Sequence, residues 1–96
     1  MKVIWDNKAL DFLESHCNRI KKDSVQAAEM VRSAIFAETE HLKSNPEIYP
    51  LDRFRKDNDG KIRAFEKLSL RVSYEIKPDL IRILRVRHVR QKPLAY

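Results

Sequence analysis

The sequence is poor in most of the features that mark a specialised class. One cysteine in 96 residues rules out an internal disulfide and leaves Cys17 without a second thiol for a metal site. A lone thiol of this kind reads as a small core residue. One glycine and four prolines leave no room for a flexible low-complexity tract. No apolar run approaches the roughly 20 residues of a membrane span, and the opening Met1-Lys2-Val3-Ile4-Trp5-Asp6 reaches polar residues too soon for a secretory leader. A cytoplasmic location is the expectation. Gly-rich phosphate loops, His/Cys/Asp clusters at metal-ligand spacing and a nucleophile motif around Cys17, Ser73 or His88 are all missing. The sequence therefore offers nothing to protease, P-loop or metalloenzyme readings, and no metal and no cofactor are expected.

What remains is a small, strongly charged chain. A sequence this short buries only about 60 to 65% of its unfolded surface, so a single domain spanning 1–96 is expected. Hydrophobic residues at 43% and charged residues at 35% suit a soluble globular domain. The net charge of +6 is unevenly placed. Residues 1–44 hold seven Lys/Arg against seven Asp/Glu, whereas residues 45–96 hold thirteen against seven and account for the whole excess. From Leu80 to Tyr96 there are five basic residues, Arg82, Arg85, Arg87, Arg90 and Lys92, and no acid. A basic field concentrated on one element points to a polyanion or an acidic protein partner. The same charge would also serve solubility alone.

Hydrophobic spacing divides the chain. Lys2 to Trp5 is a short β-branched and aromatic strand, ended by Asp6-Asn7, either of which can cap a helix. Leu10, Leu13, Cys17 and Ile20 then recur at steps of three and four, one face of a helix reaching Lys22, flanked by Phe12 and His16. Asp23 with Gln26 suggests a capping box for a second helix whose buried face is Ala28, Val31, Ile35 and Leu42, stopped by Ser44-Asn45-Pro46. With almost no linker between them, the two helices must form an antiparallel hairpin. Residues 46–60 show no period and end in Asp57-Asn58-Asp59-Gly60, which suits a turn in a mobile segment. A period of two follows over 62–68 and 70–76, and again, after Lys77-Pro78-Asp79, over 80–89. If the even positions pack on the helices, Arg63, Lys67, Arg71, Arg85 and Arg87 share the opposite, open face and form a place for phosphates.

The runs Arg63-Ala64-Phe65, Leu70-Arg71-Val72-Ser73-Tyr74-Glu75-Ile76 and Ile81-Arg82-Ile83-Leu84-Arg85-Val86-Arg87-His88-Val89-Arg90-Gln91 resemble the C-terminal half of the RelE/ParE toxins, the plasmid-stabilisation toxins of type II toxin–antitoxin systems. The N-terminal strand, the helical hairpin and the Asn-Pro after the second helix extend the resemblance over nearly the whole chain. It implies an α+β fold in which the N-terminal strand and helical hairpin precede a three-strand antiparallel meander. It also implies a cognate antitoxin with an extended acidic segment.

The family's members divide by target. The Ile-Leu-Arg-Val-Arg-His-Val-Arg-Gln-Lys-Pro ending resembles the ParE-like branch, which acts on DNA gyrase, and this makes Arg85, Arg87, His88 and Arg90 the residues of most interest. The RelE-like alternative is ribosome-dependent cleavage of messenger RNA by its own 2′-hydroxyl, without a metal. That chemistry needs proton transfer and cations around phosphorus, for which the candidates are Arg63, Arg71, Arg85, His88 and the near-terminal Tyr96. Target or antitoxin binding would draw on Arg63, Arg71, Arg85, Arg87, His88, Arg90 and Lys92. A non-toxic RNA- or protein-binding module of the same fold is a third reading. His16 and His41 read as surface or packing residues.

Overall fold

The computed structural model describes residues 1–91. Its elements are β1 (Lys2–Trp5), α1 (Asn7–Lys21), α2 (Val25–His41), β2 (Ile62–Lys67), β3 (Leu70–Ile76) and β4 (Leu80–His88). They follow the order expected from the change of hydrophobic period. The strands make one sheet in the order β1-β4-β3-β2. β2, β3 and β4 form the antiparallel meander, and β1 runs parallel to β4 from Lys2↔Leu80 to Trp5↔Ile83. Two parallel neighbours require a long crossover, and here it contains both helices and the β2–β3 hairpin.

The helices bury most of the stripes that their spacing defines, but on α1 Ala9 takes the inward place expected of Leu10, which is half-buried, as is Ile20. Ala9, Leu13 and Cys17 of α1 and Ala28, Val31, Ile35 and Thr39 of α2 face inward, with Leu42 just beyond. Ala9, Leu13, Cys17, Val31, Ile35 and Leu42 meet Phe65, Leu70, Val72, Tyr74, Ile81, Ile83 and Val86 of the sheet in one core, where each fully buried aliphatic side chain contributes about 1.5 to 3 kcal/mol. The caps differ from the expected ones. Ser24, not Asp23, starts α2, its hydroxyl accepting from the Ala27 N–H at 3.1 Å. Asp6 occupies the cap position of α1 without capping it, because its carboxylate accepts from Arg82 Nε instead.

Strand register decides which cations share a face. Residues opposite one another in an antiparallel pair point to the same side. The β2–β3 pairs Arg63↔Tyr74, Phe65↔Val72 and Lys67↔Leu70 therefore put odd-numbered β2 residues on the helix side with even-numbered β3 residues. The expectation that five cations share an open face is thus corrected. Arg63 and Lys67 belong to the helix face, with Lys67 reaching Glu38 of α2 at 3.5 Å. Arg71, Arg85 and Arg87 belong to the other. In β4 the pairing steps from Ser73↔Arg85 to Tyr74↔Ile83, so Leu84 is an extra residue without a partner in β3. This bulge shifts the alternation by one and explains the run Ile81, Ile83, Leu84, which had read as a strand apolar on both faces.

Nor is the outer face open. The segment between α2 and β2, expected to be mobile, is fastened at several points. Tyr74 Oη donates to the Pro46 carbonyl at 2.7 Å, the Asp52 N–H to Ile62 O at 2.9 Å and the Ala64 N–H to Pro50 O at 3.2 Å. Asn58 Nδ2 donates to Ile62 O at 2.8 Å, and Gly60 takes the positive φ of 92° that closes the expected turn. Part of this segment lies across the outer face of β2 and β3.

Candidate functional site

The basic half of the chain builds two separate surfaces from β4. On the outer face Asp52, 2% exposed, is held by three donors: the Phe54 N–H at 3.0 Å, Arg71 Nη2 at 3.0 Å and Ser73 Oγ at 2.8 Å. A carboxylate so deep in the protein is tolerable only when its oxygens are this well satisfied. Arg71 spends its second nitrogen on Glu66 at 2.9 Å. Arg71 and Arg87 stand directly opposite across β3 and β4, an unfavourable placement for like charges. The ring of Phe54 relieves it, with the guanidiniums of Arg53, Arg71 and Arg87 lying 4.8, 4.8 and 5.2 Å from its centroid. Arg87 is buried, and Arg85, opposite Ser73, is half-buried.

The helix-side surface lies where the end of β4 meets α1. His88 sits beside His16, ring centroids 5.8 Å apart, and His16 stacks on Phe12 with the rings 13° from parallel. The turn after β4 is fixed by its own polar groups. His88 Nδ1 accepts from the Arg90 N–H at 3.1 Å, and the His88 N–H donates to Gln91 Oε1 at 3.2 Å. These residues line a cleft of about 490 Å³ with Arg19, Ile20 and Asp23. Burial, then the nearby Arg19 and His88, hold the His16 imidazole below its ordinary pKa.

The other sequence candidates are scattered. Arg63 donates through Nη1 to the Tyr49 carbonyl at 2.7 Å, and its buried Nε finds no acceptor. It lies across the sheet from Arg71, so the three arginines expected around one phosphate are not brought together. Lys92 and Tyr96 fall outside the described residues. His41 is exposed on α2. Cys17 is buried, and that burial, followed by Glu14, pushes its thiol pKa up, which does not suit a nucleophile. Among the described residues no three His, Cys, Asp or Glu side chains converge as a metal would require. Sequence reasoning missed Asp52 and Phe54, which stand in an aperiodic stretch, and read His16 only as a surface or packing residue. Nothing local to those residues announces a partner about 20 positions away in the case of Asp52.

Comparison with known proteins agrees with this architecture. Residues 3–93 match the family model of the ParE toxin of the type II toxin–antitoxin system parDE. Among curated proteins none matches the sequence. Among solved structures the chain is similar to one from the chromosomal ParDE toxin–antitoxin system of P. aeruginosa, at a TM-score of 0.56 and 18% identity over 92% of this chain and 95% of that one. At that identity the likeness speaks for the fold. No helix among the described residues is long and apolar enough to cross a membrane. The family match over nearly the whole length and the shared fold together show that the chain belongs to the ParE toxin family of type II toxin–antitoxin systems.

Proposed function

We propose that this protein is a one-domain cytoplasmic toxin that arrests growth by acting on DNA gyrase, and that a cognate antitoxin with an acidic extended segment holds it silent. Arg85, Arg87, His88 and Arg90, at the basic end of β4, are the residues assigned to target or antitoxin contact. The observation that carries this reading is the separation of Arg63 from Arg71 onto opposite faces of the sheet, with Arg71 already engaged by Asp52 and Glu66. A phosphoryl-transfer site needs cations converging where charge develops, and this arrangement works against such a cradle. The +6 net charge favours an acidic partner, with an association rate that falls as salt rises.

One observation favours the ribonuclease reading: His88 shares a cleft with His16, and paired imidazoles can serve as acid and base. Inducing the gene without its antitoxin separates the two. Growth arrest with DNA-damage signalling and intact transcripts is the expected result. Transcripts cut inside codons, with no DNA damage, would replace gyrase by the ribosome. An antitoxin association rate indifferent to ionic strength would remove the electrostatic part of the account.

A further inference from the structure

We infer that the cleft between α1 and the end of β4 is a binding site for a phosphate ester with a planar base, that is, a nucleotide. This inference goes beyond both toxic readings and depends on neither. No Gly-rich loop announces such a site, and its elements come from distant parts of the chain. His16, Arg19 and Asp23 lie on and just after α1, and His88, Arg90 and Gln91 lie at and after the end of β4. The volume of about 490 Å³ falls within the range of small-ligand pockets, roughly 300 to 1,000 Å³.

The electrostatics point to an anion. Two guanidiniums and two imidazoles line the cleft against one carboxylate, Asp23. Among the described residues neither Arg19 nor Arg90 is paired with a carboxylate, unlike Arg32, Arg71 and Arg82. Burial first, and then Arg19 and His88, disfavour the charged form of the His16 ring beside them. An anion seated between them would offset the repulsion from Arg19 and His88 and favour a proton on the ring, and a phosphate dianion does so more than a single carboxylate. The apolar wall supplies the second half of the chemistry. Phe12, His16 and Ile20 line that wall, and the near-parallel Phe12 and His16 rings leave an outer ring face on which a base can stack. The bonds of the His88–Gln91 turn hold it in place before any ligand arrives, which lowers the entropy lost on binding.

The test uses the full chain, followed by NMR, titrated with adenosine 5′-monophosphate, inorganic phosphate and a hexaglutamate peptide. The nucleotide should shift the signals of His16, Arg19, His88 and Arg90 saturably and more tightly than phosphate, and should raise the His16 pKa. Arg19→Ala and Arg90→Ala should each weaken it about tenfold, the effect of one charge-assisted contact, while Lys61→Ala, outside the cleft, should not. A 5′-phosphorylated tetranucleotide distinguishes the source of the ligand: tighter binding than the mononucleotide assigns the site to a strand end, and equal binding to a free nucleotide. The inference is overturned by the absence of saturable nucleotide binding, or by phosphate binding as tightly as the nucleotide. Tighter binding of hexaglutamate, or an affinity untouched by both arginine variants, overturns it as well. The pKa readout on the unaltered chain needs no variant to fold, and none of these measurements depends on toxicity.

Discussion

Replacing Asp52 by alanine removes the carboxylate that joins the α2–β2 segment to the sheet, and the loss can be worked from its partners. Ser73 Oγ and the Phe54 N–H would each lose their acceptor, at about 1 kcal/mol apiece for neutral groups. Arg71 would lose a charge-assisted bond of about 1.5 to 3 kcal/mol, but it keeps Glu66 and the face of Phe54, so its charge is not abandoned. The total of roughly 3 to 5 kcal/mol matches what breaking a buried ion pair costs. It is a large share of the 5 to 15 kcal/mol that holds a small domain folded. Urea unfolding followed by Trp5 fluorescence measures it directly. A melting temperature lower by at least ~12 °C should accompany it, since each kcal/mol moves a domain of this size by about 4 to 8 °C. The double variant Asp52→Ala/Arg71→Met should lose less than the two singles together, by about 1 to 3 kcal/mol, because the removed groups are each other's partners. An Asp52→Ala protein within about 0.5 kcal/mol of the original would refute the reasoning and show that the segment is held by its backbone bonds alone.

Further outcomes follow from the caps, the hairpin and the His16 ring. Ser24→Ala should destabilise the protein by about 1 kcal/mol through loss of the α2 cap, while Asp23→Ala should stay within about 0.5 kcal/mol; chemical denaturation of both variants checks the assignment. The β2–β3 turn places Leu68 and Ser69 at φ of 50° and 68°, a conformation that costs a side chain such as leucine roughly 1 kcal/mol or more. Replacing the pair by Asn-Gly should therefore raise stability by about 1 kcal/mol, seen as a higher urea midpoint at unchanged slope. His16 is held below 6.5, first by burial and then by Arg19 and His88, so the native state resists charging a ring that the unfolded chain charges near that pH. Its contribution is intact above pH 6.5 and is lost as acidification proceeds towards the folded value. Arg19→Gln should raise the imidazole pKa in an NMR titration and soften the fall in stability below about pH 6.5.

The elements were legible because their periods are clean. Leu13-Cys17 and Val31-Ile35 mark helices, Leu70-Val72-Tyr74 marks a strand, and the structure buries all of these residues. The site was less legible for reasons of geometry. Alternation within a strand says which residues share a side of that strand, but not which side of the neighbour they join; that depends on turn length and bulges. The tight Leu68-Ser69 turn set Arg63 against Tyr74, and the bulge at Leu84 set Arg85 and Arg87 on the same side as Arg71. Asp52 was invisible for a different reason. Its donors Arg71 and Ser73 lie 19 and 21 residues away, and a carboxylate in an aperiodic loop looks like any other solvated acid. Ser24 beside Asp23 shows how two adjacent cap-formers leave a helix start uncertain by one residue.

The odd-to-even pairing of β2 with β3 has a consequence for how such chains diverge. A one-residue insertion or deletion at the Leu68-Ser69 turn, if β3 and β4 kept their places on the helices, would carry Arg63 to the outer face and Phe65 out of the core in the same step. Such a length change could spread only with a compensating exchange of apolar and polar residues along all of β2. A relative whose hairpin differs in length by one residue would therefore carry its cations at even positions of this strand, and aligning it column by column would pair residues that face opposite ways.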